Sequence, residues 1–341
     1  MSLVAGSYER FIWGFKLKTL KKSQELTLTP IFSFPSHLSA IKSVAVSGTV
    51  AASGGSDDSV KIYDLAACTE IGSLADHSAT VTALSFYTPP SIGFPRNLIT
   101  ASEDGAVCIY DADPFVHLKT IKAHKKGIND LSVHPSGKLA LTVGRDACLS
   151  MMNLVRGRRS FYCRMGKEAS IVRYNFSGDK FFMVTDEKIS VHESEDARLS
   201  LELDSQKKVL CASPGMGGLL FTGGEDRGIK AWDTSSGKMA YCIEDAHSAR
   251  VKGIVVLTGG ETAAEDDDLP YLIASASSDG VVRVWDVRMT ANNEKSTPLA
   301  EASTKSRLTC LAGSTLKSLK QTRPKNSDAK NDEDDAMVED L

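Results

Sequence analysis

Short runs of apolar residues, five to seven long, are cut at regular intervals by Gly, Asp and Ser. The clearest case lies in residues 251–286. There VKGIVVL precedes YLIASAS, a Ser278-Asp279-Gly280 turn and VVRVWD. Alternating or wholly apolar runs of this length, bounded by turn residues, predict β-strands joined by tight turns. The same order repeats along the chain. A His opens each unit, followed by a strand, a turn, a second strand ending in small residues, an Asp turn, and a third strand ending at a large side chain. A fourth strand precedes the next His, as in HLKTIKAH (117–124) and MAYCIEDAH (239–247).

The turn Asp and the large residue six positions later set the period. The pairs are Asp57 and Tyr63, Asp104 and Tyr110, Asp146 and Met152, Asp186 and His192, Asp226 and Trp232, Asp279 and Trp285. Successive turn Asp residues lie 47, 42, 40, 40 and 53 residues apart, and the large residue is usually followed by Asp. A repeat of this length ending in Trp-Asp marks a WD-repeat β-propeller, an all-β fold. At 341 residues the chain could hold two ordinary domains, but the repeat argues for one.

Four positions per unit form an expected buried hydrogen-bonded tetrad. His247, Ser275, Asp279 and Trp285 make a complete set. His77, Thr100, Asp104 and Tyr110 make a near-complete one, as do His37, Ser53, Asp57 and Tyr63. The third unit keeps His124, Thr142 and Asp146 but has Met152 in the aromatic place. A buried imidazole needs both ring nitrogens satisfied, and a carboxylate on one side with a hydroxyl on the other does this. Ser, His and Asp together suggest a hydrolase triad, yet they recur at the fold period, which packing requires and catalysis does not. The fifth unit has Thr222, Asp226 and Trp232 without a His. The fourth lacks the His and places His192 in the aromatic position, so it is expected to hold fewer buried hydrogen bonds and to be the loosest.

Six units leave a ring incomplete, and the two ends are expected to supply a seventh blade from residues 3–34 and 306–312. Glu9 takes the turn-acid position, Phe15 the aromatic one, TLTPIFSF (27–34) the outer strand and RLTCLA (307–312) the innermost strand. Pairing the termini in one sheet removes two open edges and latches the ring. The reading is thus a seven-bladed propeller over residues 1–316. Residues 317–341 are expected to be a disordered tail, basic then acidic. TPPSIGFPRN and TGGETAAEDDDLP read as loops inserted in the second and sixth units.

Charge sharpens this picture. The net charge is −3, but residues 328–341 hold seven acids and one Lys, and Glu261, Glu265, Asp266, Asp267 and Asp268 add five more acids, leaving the remainder near +8. Residues before the turn acids, including Tyr8, Glu103, Arg145 and Glu225, should crown one face as a mixed set suited to protein partners. Arg156, Arg158, Arg159 and Arg164 are the densest basic cluster, open to rRNA or an acidic peptide, or merely solvated. Lys317, Lys320, Arg323 and Lys325 read as solvated tail or import signal.

Seven cysteines, odd in number and never in a Cys-x-x-Cys pair, argue against zinc and a disulfide framework and fit a reducing compartment. No apolar run reaches the ~20 residues of a membrane span, and the first residues show no signal-peptide pattern. There is no phosphate-binding Gly loop with Lys-Ser/Thr, no His-Glu-x-x-His and no Gly-x-Ser-x-Gly. PGMGG (214–218) reads as a turn. No enzyme, cofactor, metal or membrane role is expected.

Several segments resemble the WD-repeat family of the PAK-kinase-interacting protein and its fungal ribosome-assembly relatives. They are LVAGSYERFIWGF at the start, SEDGAVCIYDA (102–112), the stretch from Ile121 to Phe161, AHSARVKGIVV (246–256), ASASSDGVVRVWD (274–286) and RLTCL (307–311). The likeness spans roughly residues 3–312. It implies a monomeric scaffold in the nucleus and nucleolus, with the cytoplasm as a second compartment, acting with assembly factors of the large (60S) ribosomal subunit and touching rRNA. In animal relatives it also implies an inhibitor that binds the regulatory region of a PAK-type kinase. A ubiquitin-ligase substrate adaptor is a third reading. Met152 and a short acidic tail, in place of a long Lys-rich one, depart from the family pattern.

Overall fold

A computed structural model describes residues 1–19, 25–257, 272–287 and 297–314. The strands form seven four-stranded antiparallel sheets. Blade one comprises Ile41–Ser47, Val50–Gly55, Val60–Asp64 and Thr69–Leu74, from the axis outward. Blade two runs from Val81–Tyr87 to Val116–Lys122, blade three from Ile128–Val133 to Arg158–Arg164, and blade four from Ile171–Tyr174 to Leu199–Asp204. Blade five runs from Val209–Pro214 to Met239–Ile243 and blade six from Val251–Val256 to Ala300–Ser303. The innermost strands touch in cyclic order, so the sheets close a ring. This is a seven-bladed WD-repeat β-propeller.

Blade seven takes Leu308–Ser314 as its inner strand, then Ser2–Ser7, Phe11–Thr19 and Leu26–Pro35. Leu3 pairs with Gly313 and Leu311 with Ala5, so both ends of the described chain lie in one sheet. Thr309 of this blade also donates its hydroxyl to Ile41 O of blade one at 2.6 Å. The expected tail from 317 on, the acidic insert around Glu261–Asp268 and the basic group Lys317–Lys325 lie outside the described residues.

The core sits between blades. Among the described residues, buried apolar side chains form seven clusters, each filling the seam between two neighbours. Trp232 of blade five packs with Phe182, Val184 and Ile189 of blade four, and Phe15 of blade seven with Leu272 and Val282 of blade six. Each fully buried large side chain contributes about 1.5–3 kcal/mol. The second strands Val50–Gly55 and Leu272–Ser277 face a neighbouring blade on both sides and carry only small or apolar residues, so they are buried at every position, Ser53 and Ser275 included. Outer strands have one neighbour fewer, and Thr69–Leu74 is almost wholly exposed.

The turn between second and third strands has one geometry in six blades. The residue after the turn acid has φ in the left-handed region: Arg10 (75°), Asp58 (61°), Gly105 (79°), Ala147 (55°), Arg227 (64°) and Gly280 (83°). Blade four differs. Thr185 pairs directly with Lys188, which leaves a two-residue loop with Asp186 itself left-handed (54°). The expectation that Asp186 is a sixth turn acid is therefore corrected. Its side chain is exposed and pairs with Lys208 at 3.0 Å.

Candidate interaction surface

The repeated polar residues lie inside the blades. In blade six, His247 bridges Asp279 (Nδ1 to Oδ2, 3.3 Å) and Ser275 (Nε2 to Oγ, 2.8 Å), and the Trp285 indole N–H donates to Ser275 Oγ at 2.9 Å. Burial would raise the Asp279 carboxyl, but the Val281 N–H, the facing His247 ring and the Ser248 N–H hold it below the usual range. Burial pushes His247 down to about 4, against the opposing pull of Asp279. A neutral imidazole facing a carboxylate carries its proton on Nδ1. Nε2 then accepts from Ser275, whose oxygen accepts from the indole. Every polar atom in this chain of contacts is used.

Blade one closes the same circuit with a phenol. His37 meets Asp57 at 2.9 Å and Ser53 at 2.7 Å, and the Ser53 and Tyr63 hydroxyls lie 2.9 Å apart. Tyr63 also contacts Ser36. In blade two His77 meets Asp104 at 3.0 Å and Thr100 at 2.7 Å. The expected fourth member does not join, because the buried Tyr110 hydroxyl has no partner at hydrogen-bonding distance among the described residues. In blade three His124 meets Asp146 at 2.9 Å and Thr142 at 3.0 Å, while Met152 fills its place as a wholly buried apolar side chain. The Tyr162 hydroxyl, donating to Asp146 at 2.8 Å, is a partner that the repeat pattern does not mark. Gly55 and Gly144 are required here: a Cβ on Gly55 would sit 2.4 Å from His37 Nδ1, and one on Gly144 2.6 Å from His124 Nδ1.

Blade five replaces its missing His by a cation. Lys230 pairs with Asp226 at 2.8 Å and donates to Ser205 O at 2.7 Å, and Trp232 donates to Thr222 at 2.9 Å. In blade four His192 is buried and stacked on Phe181 with centroids 5.0 Å apart. Its Nδ1 bonds Ala197 O at 3.0 Å, and its Nε2 has no partner. In blade seven Glu9 accepts from the Arg307 N–H at 2.9 Å, spanning the two ends of the described chain.

The crown residues share the face that bears these turns. Arg145 and Glu103 pair with each other across blades two and three, so neither is a free contact group. Tyr8 is half exposed, with the Arg307 guanidinium over its ring at 4.4 Å, and Glu225 is exposed. The arginine cluster is elsewhere. Arg156 lies in the hairpin loop at the opposite end of blade three, and Arg158 starts its outer strand. Arg159 is held, donating to Ala123 O at 3.2 Å with its guanidinium 4.5 Å from the Tyr162 ring. The two sets thus do not form one surface.

The axis is an open channel enclosing about 480 Å³, lined by the innermost strands of all seven blades. Asp130 and Arg173 pair across blades three and four in its wall, and Asp130 also accepts from Val172 N at 2.9 Å. Burial pushes the Asp130 carboxyl up, with Arg173 opposing. Burial likewise pushes the thiols of Cys211 up to about 12 and Cys310 up to about 11, so both remain protonated. At the turn-face mouth stand Lys42 and Lys252, which the sequence reading had not singled out, and the exposed Arg250, two residues before Lys252, acts on it electrostatically. The spacing marks two of them: the fifth residue after each tetrad His lines the channel, as Lys42, Thr82, Asn129 and Lys252.

Residues 28–64, 68–111, 115–151 and 242–286 match the WD domain, G-beta repeat family. The chain is 33% identical to p21-activated protein kinase-interacting protein 1-like of Danio rerio, across 91% of this chain and 80% of that one. It belongs to the family of the p21-activated protein kinase-interacting protein. Similarity extends to Shk1 kinase-binding protein 15 of Schizosaccharomyces pombe (29% identical, 98% of this chain, 89% of that one). Protein MAK11 of Saccharomyces cerevisiae is 29% identical across 61% of this chain and 55% of its own length. The repeat matches leave out most of blades four and five, the two internal blades without a tetrad His.

Proposed function

We propose that this chain is a non-catalytic scaffold in assembly of the large (60S) ribosomal subunit, acting in the nucleus and nucleolus through contacts with assembly factors and secondarily with rRNA. The observation that carries the scaffold reading is that every recurring Ser/Thr, His and Asp set is consumed in holding a blade together. His247 is the clearest case, buried and saturated between Asp279 and Ser275. Groups so engaged are unavailable to a substrate, and the two most buried channel thiols are held protonated. What faces solvent is a rigid ring of turns carrying mixed charge, which suits protein recognition. The ribosomal part rests on the family likeness carried by Ile121–Phe161 and the N-terminal LVAGSYERFIWGF. Affinity purification from nuclear extract, with and without RNase, tests it. Large-subunit precursors should co-purify, with part of the yield surviving RNase; their absence from both samples would overturn the assignment.

A second reading, binding and restraint of a PAK-type kinase, is favoured by the names of the relatives, a kinase-interacting protein and a kinase-binding protein. Purified kinase regulatory region should then be retained by this protein at micromolar concentration. No retention would remove that reading while leaving the first intact.

A further inference from the structure

The cations at the turn-face mouth of the channel have no counter-ion among the described residues. Lys42 enters from blade one and Lys252 from blade six, with Arg250 just before the blade-six inner strand and blade seven between the two lysines. None is ion-paired to a described residue. Of the other cations on this face, Arg145 pairs with Glu103, Lys208 with Asp186, Arg227 with Asp245 and Arg307 with Glu9, while Arg10, Lys125 and Lys126 stay exposed away from the channel lining. Lys252 is partly buried. Burial lowers its ammonium pKa, Arg250 and Lys42 add repulsion, and Glu225 of blade five offsets only part of this. Keeping an unpaired charge in such a place costs stability, and an incoming carboxylate would relieve the cost.

Apolar surface borders the same sector. Leu38 on blade one is 85% exposed and Tyr8 on blade seven 54%. Tyr8 is already fixed by the Arg307 guanidinium 4.4 Å from its ring, and Arg307 by Glu9 at 2.8 Å, so little freedom would be lost on binding. We infer that the sector formed by blades six, seven and one docks an acidic linear peptide carrying an apolar anchor residue. One carboxylate enters the mouth beside Lys252, between Lys42 and Arg250, and the anchor lies on Leu38 and Tyr8. A peptide is favoured over nucleic acid because Lys252 is partly buried in the channel wall, where a single side chain reaches it. Asp58 and Glu225 on the surrounding turns would repel a continuous phosphate backbone.

This inference rests on the scaffold reading but not on which partner is bound, and the co-purification experiment above tests the partner separately. The probe is a fluorescein-labelled synthetic peptide of eight Asp and Glu residues around one Phe, followed by anisotropy in 150 mM salt with the full chain. Micromolar binding is expected. Lys42→Ala with Arg250→Ala, both exposed sites that leave the core untouched, should weaken it tenfold or more. Lys252→Gln should do the same, with thermal unfolding held or slightly raised. Leu38→Ser should weaken it several-fold, and only for the Phe-containing peptide. Arg156→Ala with Arg158→Ala, an equal loss of charge on the opposite face and rim, should stay within twofold. Equal losses from mouth and rim pairs would overturn the site, as would absence of wild-type binding below a millimolar. Tighter binding of an RNA oligonucleotide that displaces the peptide from the mouth would overturn the ligand class. If the peptide fails while precursors still co-purify, the docking site falls and the scaffold reading stands.

Discussion

Blades six and four have the same four strands in the same order, yet they solve the problem of a buried imidazole in opposite ways. In blade six His247 has a partner on each nitrogen, and Asp279 ties the turn to the incoming chain through Ser248 N at 3.0 Å and Val281 N at 3.0 Å. In blade four the hairpin is one residue shorter and its acid points to solvent. His192 stacks on Phe181 with Nε2 unpartnered. The lesson is that the strand ladder and interblade packing suffice to build a blade. The polar set adds local stability to a sheet that would form without it.

The widest gap between the two should come from their acids. Asp279→Ala leaves two backbone N–H groups and a buried imidazole without an acceptor and should cost about 3–5 kcal/mol. Asp186→Asn, which suits the left-handed position, loses only an exposed pair with Lys208 and should stay within about 0.5 kcal/mol. Denaturant titration of both variants decides this, and equal losses would erase the distinction drawn here.

Acid should reveal the next difference. The folded pKa of His247, about 4, lies below its ordinary 6.5, so between these values the unfolded chain binds the extra proton. Its contribution is therefore full above pH 6.5 and is lost as pH falls towards 4, to the extent of roughly 3 kcal/mol. His192 is shifted in the same direction by burial. Asp57, Asp104, Asp146 and Asp279 are all depressed, so their contribution is lost only at still lower pH, as each is protonated below its ordinary 3.8. Unfolding midpoints measured from pH 7 to 4 should fall, and His247→Gln should flatten most of that slope.

Hydrogen exchange compares the blades directly. Amides of Val184 and Ile189 in blade four should open about 2 kcal/mol more easily than those of Ala274 and Val282 in blade six, the scale of a few unmade polar contacts. Equal protection would show that packing alone sets local stability. The smallest effect concerns the third-strand residues. Trp285→Phe removes the donor to Ser275 and should cost about 1–2 kcal/mol. His192→Phe removes the unpartnered Nε2 but also the Nδ1 contact with Ala197 O, and should cost at most about 1 kcal/mol by thermal melt.

Much of this was legible in residue spacing. The Asp-to-aromatic interval gave the blades, the joining of Glu9 and Phe15 to RLTCLA gave the closing sheet, and the His-to-Asp recurrence gave four of the buried pairs. The failures share one cause. Asp186 keeps the six-residue spacing to His192, but a hairpin shortened by one residue moves it out of the turn-acid position. Tyr110 has the right residue type, yet its hydroxyl falls short of Thr100. Lys230 takes over from an absent His because a long side chain from the neighbouring strand can reach Asp226. None of these leaves a mark in a linear pattern.

The same division holds for the surface. Periodicity gave six of the sheets and their order, because alternation and turn chemistry are local and each blade repeats them, while the seventh, joining the chain ends, followed from the need to close the ring. Which charges stay free was decided only by the ring. Arg145 and Glu103 read as separate contact groups until adjacent blades bring them into an ion pair, and Arg159 as a free cation until it lies against Tyr162. Lys42 and Lys252 are 210 residues apart in the chain and meet at one mouth because closure brings the sixth and first blades to either side of the seventh. Coulomb interactions depend on distance through space, and that distance exists only once the circle is complete.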